Sequence, residues 1–178
     1  MEKNKKNLID ILIWLIITSS IIAFFTLIIQ LTYIPSDSMN PFFYQGDICI
    51  MNRLAKNFER YDIVTFNPPI KGEKNLFIKR VIGLPGETII VRDGHVYLAK
   101  DENDESSWEI LDESFLLEDM KPGKGDGVYK VPEDSYFLLG DNRNNSNDAR
   151  FWSEHFVKKD EISAKYLIRI PLADEHRK

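Results

Sequence analysis

The sequence of 178 residues predicts a mainly β domain that follows one N-terminal transmembrane helix. Two observations carry this prediction: a long uncharged apolar run near the N-terminus, and a series of short apolar runs of strand length, separated by turn residues, beyond residue 35. The chain is therefore divided into an N-terminal segment (residues 1–7), an anchor (8–33) and a β-rich domain (34–178) with an insertion at about residues 99–130.

The anchor is predicted from the run between Ile11 and Ile29, which contains no charged residue. As a helix rising about 1.5 Å per residue, this run reaches about 28 Å, close to the thickness of the hydrocarbon core of a bilayer. A cleavable signal peptide has a shorter apolar core, of about 7–15 residues, followed by a small-x-small site, and this run shows neither feature. The run therefore predicts a permanent span and a lipid bilayer as a partner.

The flanking charges predict the orientation of the anchor. Lys3, Lys5 and Lys6 precede the apolar run, whereas the first basic residue after it is Arg53. Basic residues favour the cytoplasmic side of a membrane, so the N-terminus is predicted to be cytoplasmic and the β-rich domain extracytoplasmic.

Seven apolar runs predict the strands of the outer domain. They are rich in β-branched and aromatic residues and have strand length, and they read DICIMN, YDIVTF, LFIKRVI, ETIIV, HVYLA, SYFLLG and EISAKYLIRI. Between the fourth and fifth of these runs, Asp93 and Gly94 predict a tight hairpin turn.

The insertion begins with an acidic segment, residues 101–120, which carries nine acidic side chains and no basic one. Charge runs of this kind are usually solvated, so the favoured interpretation is a surface insertion, and the alternative is a face that binds a partner. Trp108, Leu111, Phe115 and Leu116 predict that part of the segment packs down as a short helix.

Composition excludes several functional classes. A net charge of −5 argues against nucleic-acid binding, which needs a cationic face. The single cysteine, Cys49, forms no internal disulfide and is predicted to be a buried apolar residue. His95, His155 and His176 lie in contexts that indicate neither a Ser-His-Asp triad nor a zinc site, so no metal or cofactor is predicted.

Lys79 is a candidate general base. If residues 76–82 form a strand, Lys79 shares a face with Phe77 and Val81 and points away from Arg80. Burial among apolar groups disfavours the ammonium form, and a shift of about three pKa units corresponds to about 4 kcal/mol. The alternative is an ordinary strand lysine whose amine reaches water.

Two further blocks contain candidate catalytic groups. Residues 35–41, PSDSMNP, place Ser36 and Ser38 just after the anchor, where a simple polar turn is the alternative. The loop at residues 140–150, GDNRNNSNDAR, is crowded with opposite charges that are suited to fixing a neighbouring site.

Four blocks in order make the chain resemble the type I signal peptidases, membrane-anchored serine endopeptidases that remove signal peptides from exported proteins. These blocks are PSDSMNP at 35–41, GDI at 46–48, KRVIGLPGE at 79–87 and GDNRNNSNDAR at 140–150. The resemblance covers the anchor and most of the outer domain, and it fails mainly in the acidic segment.

The resemblance implies a role for each matching residue. Ser38 would be the nucleophile and Lys79 its general base. Ser36 and the backbone N–H of Ser38 would form the oxyanion hole, and Ser146 would orient Lys79 through a hydrogen bond. Asp148 would hold the loop rigid together with Arg150 and Arg80. Asp141 and Arg143, which match the same block, would support the site.

The implied function is cleavage of secretory preproteins after small residues at the −1 and −3 positions, on the outer membrane surface and without a cofactor. One alternative is a non-catalytic, membrane-anchored relative that assists assembly of surface proteins or pili. Another is a soluble self-cleaving repressor with a Ser-Lys dyad, which would lack the anchor. The sequence does not specify an oligomeric state.

Three positions depart from the family pattern. Asp37 stands where the family usually has a small residue, Glu87 replaces an aspartate, and Ala149 replaces a serine. Asp37 is the most consequential, because a carboxylate beside the oxyanion hole could raise the pKa of Lys79. Since alternate residues of an extended segment face opposite ways, its side chain is expected to point to solvent.

Overall fold

The computed structural model describes residues 2–73 and 75–171. Its helix and strands are α1 (Glu2–Ile28), β1 (Ile29–Tyr33), β2 (Ile48–Asn52), β3 (Ile63–Phe66), β4 (Phe77–Gly83), β5 (Thr88–Arg92), β6 (His95–Ala99), β7 (Trp108–Ile110), β8 (Gly127–Lys130), β9 (Ser135–Leu139), β10 (Val157–Lys158) and β11 (Ile162–Ile170). The mainly β fold class predicted from the sequence is confirmed. The C-terminal part of the predicted domain, with His176, lies outside the described residues.

Helix α1 contains the apolar run of the predicted anchor. Among the described residues it is the one helix long and apolar enough to cross a membrane, over Asn7–Ile28. The helix ends at Ile28, whereas the predicted anchor extends to residue 33. The difference arises because residues 29–33 form β1, whose backbone pairs with β2.

The end of α1 is fastened to the domain. The backbone N–H of Arg53 donates to the carbonyl of Ile28 at 2.8 Å, and Arg53 Nη1 donates to the carbonyl of Thr26 at 3.1 Å. A cation at a helix C-terminus also interacts favourably with the helix dipole. The helix therefore runs directly into the sheet, with no loop between α1 and β1.

The strands form two antiparallel sheets. The larger has the order β1-β2-β11-β3-β4-β9-β10, and the smaller has the order β7-β6-β5-β8. All seven predicted runs are strands, and four further strands, β1, β7, β8 and β10, were not predicted from the sequence. The predicted hairpin is also confirmed: it joins β5 to β6, and both residues of its turn are left-handed, with φ of 52° at Asp93 and 84° at Gly94.

The acidic segment does not form the predicted short helix. It contains a 3₁₀ turn at Glu105–Ser107 followed by β7, and the described residues between β7 and β8 contain no α-helix. Strand β7 pairs with the edge of β6, which satisfies backbone groups that a helix would leave exposed. Part of the segment does pack down, because Leu111 and Met120 are buried in the core.

Two apolar clusters lie against the sheets. The larger lies between them and includes Val81, Phe137 and Trp152. The smaller lies beneath residues 34–43 and includes Phe43 and Cys49. Burial raises the pKa of the Cys49 thiol to about 12, in agreement with its predicted role as an apolar core residue.

Candidate active site

The segment that carries the two serines is tied down at both ends. It leaves β1 at Ile34, whose N–H donates to the carbonyl of Asp47 at 2.9 Å, and Gly46 N–H returns a bond of 2.9 Å to the carbonyl of Ile34. Met39 and Phe43 are fully buried in the smaller core cluster. The backbone around Ser38 is therefore held by hydrogen bonds on one side and by packing on the other.

Lys79 lies at the centre of β4, a strand paired on both sides. Its Nζ is 2.7 Å from Ser38 Oγ and 3.0 Å from the carbonyl of Ile78. The lysine is only 4% exposed. The structure therefore brings together the two residues expected from the sequence to be nucleophile and base.

The environment of Lys79 favours its neutral form. Burial lowers the pKa of the Lys79 amine from 10.5 to about 8, although the carboxylates of Asp148 and Asp141 act in the opposite direction. At pH 7 about a tenth of the amine is therefore unprotonated, far more than for an ordinary lysine, and its lone pair can accept the hydroxyl proton of Ser38.

Ser36 lies on the other side of Ser38. The two Oγ atoms are 3.4 Å apart. Among the described residues, no hydrogen bond uses the backbone N–H of Ser38. A hydroxyl and an unused N–H next to a nucleophile are suited to stabilising an oxyanion.

Two buried ion pairs flank the lysine. Arg80 binds Asp141 in a bidentate manner, with Nε to Oδ1 at 2.7 Å and Nη2 to Oδ2 at 2.5 Å. Arg150 binds Asp148 in the same way, at 2.8 and 2.9 Å. Arg80 was expected to act with Asp148 and Arg150, whereas the structure pairs it with Asp141. Each carboxylate near Lys79 thus has its own arginine.

The loop at 140–148 contacts the serine segment directly. Asn142 N–H donates to the carbonyl of Ser38 at 3.0 Å, and Asn142 Nδ2 donates to the carbonyl of Asp37 at 3.1 Å. Asn142 was not predicted to take part in the site, although it lies within the GDNRNNSNDAR block. A Cβ atom at Gly140 would lie 2.6 Å from the carbonyl of Ser38 and 2.6 Å from Ser146 Cβ, so this approach requires glycine.

The predicted hydrogen bond from Ser146 to Lys79 is not present. Ser146 is buried, and its Oγ has no hydrogen-bond partner among the described residues. The amine of Lys79 bonds to Ser38 and to the carbonyl of Ile78 instead. Ser146 packs against Gly140, which places its hydroxyl next to the loop backbone.

The three positions that depart from the family pattern have distinct environments. Asp37 is exposed, as expected, and only its backbone carbonyl joins the network around the site. Glu87 accepts from Arg60 at 2.6 Å and from the N–H of Leu84 at 2.7 Å, so it fixes the turn after β4. Ala149 is fully buried in the larger core cluster, where a hydroxyl would need a partner.

The serines open onto a cleft of about 1130 Å³. One wall is β1, and the other is the chain leading into β4, from Asn75 to Ile78. Ser36, Ser38 and Lys79 lie in its lining, which includes no histidine in the part of the chain that the structure describes. The cleft can hold an extended segment between two stretches of backbone.

Comparisons with known proteins agree on one family. Residues 6–170 match the family model described as signal peptidase, peptidase S26. A probable signal peptidase I-2 from Synechocystis sp. is 36% identical over 81% of this chain and 64% of that protein, so this chain spans less than two thirds of that relative. Signal peptidase I P from Bacillus subtilis subsp. natto is 33% identical over 96% of this chain and 94% of that protein.

Among solved structures, a signal peptidase I from Enterococcus faecalis V583 is 28% identical. The match covers 61% of this chain and 96% of that chain, with a TM-score of 0.40.

The buried amine predicts that Lys79→Met stabilises the protein at neutral pH. The pKa of the amine is about 8 in the fold and 10.5 as its ordinary value, so below pH 8 folding must bury an ammonium. The variant should gain about 3 kcal/mol at pH 7. The gain should shrink as the pH rises from 8 to 10.5, because the unfolded lysine then loses its proton as well.

The measurement is chemical unfolding of detergent-solubilised parent and variant at several pH values. Lys71→Met, at an exposed position, is the control. A stability difference between parent and Lys79→Met that does not change with pH would contradict burial of a titrating amine.

Proposed function

The chain belongs to the signal peptidase family, peptidase S26, and on this premise we propose that it cleaves signal peptides from secretory preproteins, with Ser38 as nucleophile and Lys79 as general base. The observation that carries the proposal is the 2.7 Å contact between Lys79 Nζ and Ser38 Oγ in a buried site. A serine hydroxyl is a weak nucleophile until a neighbouring base accepts its proton, and the neutral amine can do so.

In the first step, Lys79 accepts the hydroxyl proton while Ser38 Oγ attacks the scissile carbonyl. The negative charge that develops on the carbonyl oxygen is stabilised by Ser36 Oγ–H and by the backbone N–H of Ser38. The protonated amine then donates its proton to the leaving amino group. The products of this step are an acyl-enzyme on Ser38 and the mature protein with a free N-terminus.

In the second step, neutral Lys79 activates a water molecule that attacks the acyl carbon. The same oxyanion hole stabilises the second tetrahedral intermediate, and the collapse of this intermediate returns the proton to Ser38. The signal peptide leaves as a carboxylate, and no metal or cofactor takes part in this scheme.

The cleft supports an extended substrate. Strand β1 is an edge of the larger sheet, so one side of its backbone is free to pair with another strand. Side chains of such a substrate alternate in direction, and those at −1 and −3 share one face. Small residues at these two positions allow the substrate backbone to lie against the cleft wall.

The proposed location is a membrane with the catalytic domain on its outer surface. The apolar helix α1 supports the anchor. The lysines before the apolar run, and the lack of basic residues between that run and Arg53, support a cytoplasmic N-terminus. The substrate is held in the same bilayer by the apolar core of its signal peptide. The alternative of a non-catalytic relative is not favoured, because such a protein has no need of a desolvated lysine in contact with a serine.

Cleavage assays with a purified preprotein test the proposed roles. Ser38→Ala and Lys79→Met should each lower the rate about 10⁴-fold or more, since residues that act as one catalytic unit lose nearly the whole effect when either is removed. Ser153→Ala and Lys71→Met, at exposed positions, serve as matched controls. Retention of parent activity by Ser38→Ala would overturn the assignment.

The proposed base also predicts the pH dependence of the reaction. Because only the neutral amine can accept the proton, kcat/KM should rise about tenfold per pH unit below pH 8 and level off above it. The measurement is kcat/KM for preprotein cleavage between pH 6 and 9.5, in buffers of equal ionic strength. A flat profile over this range would be incompatible with Lys79 as the base.

Labelling in cells tests the orientation. Cysteine introduced at Ser114 should react with a membrane-impermeant maleimide in intact spheroplasts, whereas cysteine at Asn7 should react only after permeabilisation. Background labelling of Cys49 is expected to be low, because this thiol is buried and its pKa is raised. The reverse pattern would place the domain in the cytoplasm and exclude a role in secretion.

A further inference from the structure

A buried guanidinium outside the catalytic pair has its counter-ion in the acidic segment. The side chain of Arg143 is only 1% exposed, and its Nη1 forms an ion pair with Glu113 Oε1. Burial lowers the pKa of Arg143, and the Glu113 carboxylate acts in the opposite direction. A buried charge that loses its partner is strongly unfavourable, so the position of Arg143 depends on Glu113.

The same segment also contacts Arg80, another arginine of the site. The ring of Phe115 lies 4.4 Å from the guanidinium carbon of Arg80 and 6.0 Å from that of Arg143. Arg80 is the residue that binds Asp141. Phe115 thus covers one ion pair of the site, while Glu113, two residues earlier, completes another.

A third set of contacts holds the turn at Arg143–Asn145. Asn144 Nδ2 donates to Glu118 Oε1 at 2.8 Å and to the carbonyl of Asp119 at 2.9 Å. Asn144 Oδ1 accepts from the N–H of Lys121 at 2.9 Å. The turn at Arg143–Asn145 is therefore bound by the C-terminal end of the acidic segment.

Two hydrogen bonds of the loop link these contacts to the backbone of Ser38. Arg143 Nε donates to the carbonyl of Gly140 at 3.2 Å, which fixes the start of the loop. Between these two residues, the N–H of Asn142 donates to the carbonyl of Ser38 at 3.0 Å. The backbone that presents Ser38 to Lys79 is thus held by a loop whose own arginine is held by Glu113.

We propose that residues 111–121 act as a latch that holds the loop at 140–148, and that Glu113 is a positioning residue for the cleavage reaction. The latch fixes Arg143 and the loop at 140–148, so that Ser38 Oγ stays within reach of Lys79 Nζ. This inference rests on the proposed function, since it concerns the geometry of the same nucleophile and base. It also gives the acidic segment a role inside the enzyme rather than toward a partner.

The test compares Glu113→Gln with Glu109→Gln, which removes the same charge from an exposed position of β7 in the same segment. Glu113→Gln should lower kcat for preprotein cleavage about 10–100-fold and leave KM within about twofold, because a small displacement of reacting groups affects the chemical step rather than binding. Glu109→Gln should behave like the parent. Equal kcat values for the two variants would overturn the proposal.

A double-mutant cycle separates positioning through Arg143 from a general loss of structure. In an Arg143→Met background there is no buried charge left to hold, so Glu113→Gln should then change kcat by less than about threefold. A loss as large as in the parent background would show that Glu113 acts by another route and would exclude the latch.

Hydrogen exchange provides a measurement that does not depend on activity. Glu113→Gln should speed exchange of the Asn142 amide relative to the parent, and Glu109→Gln should leave it unchanged. Unchanged exchange in Glu113→Gln would contradict the latch even if cleavage slowed. If the parent protein does not cleave preproteins, the proposed function fails, and the exchange data still decide whether the latch exists.

Discussion

The contact between Lys79 and Ser38 is useful only if the lysine can lose its proton, and this condition constrains the rest of the site. Burial in the centre of β4 lowers the pKa of the amine, but Asp141 and Asp148 lie close enough to raise it. The two bidentate arginine pairs, with Arg80 and Arg150, offset the charge of those carboxylates. The network therefore tolerates two acids beside a lysine whose pKa stays well below its ordinary value.

Much of the fold follows from local sequence pattern. The seven predicted runs are strands because their apolar periodicity matches the burial that the two sheets impose, and the Asp93-Gly94 turn has the left-handed dihedrals that these residues tolerate. Strand β1 was missed because its first residues continue the apolar run of the anchor, and only pairing with β2 makes them extended. In the acidic segment, strand β7 likewise forms because it pairs with β6, and local composition does not predict this pairing.

The candidate site likewise has features that the sequence predicts and features that only the three-dimensional structure reveals. Motif order selected Ser38 and Lys79 as candidates. Strand alternation placed the lysine among apolar neighbours but left open whether its amine reaches water. Motifs do not specify which charges pair, so the partner of Arg80 and the environment of Ser146 became visible only in three dimensions. The contact of Glu113 with Arg143 joins residues of an insertion and a motif, and no local pattern links them.

The direct junction between α1 and β1 makes the cleft wall a continuation of the apolar helix. The junction is reinforced by Arg53, which holds the carbonyls of Thr26 and Ile28. On the proposed membrane position, the direct junction leaves no flexible linker, so the length of chain from Ile29 onward would set the height of Ser38 above the bilayer. The proposed peptidase would then measure distance as well as sequence, because it would reach only a cleavage site at a matching height above the substrate's own membrane segment.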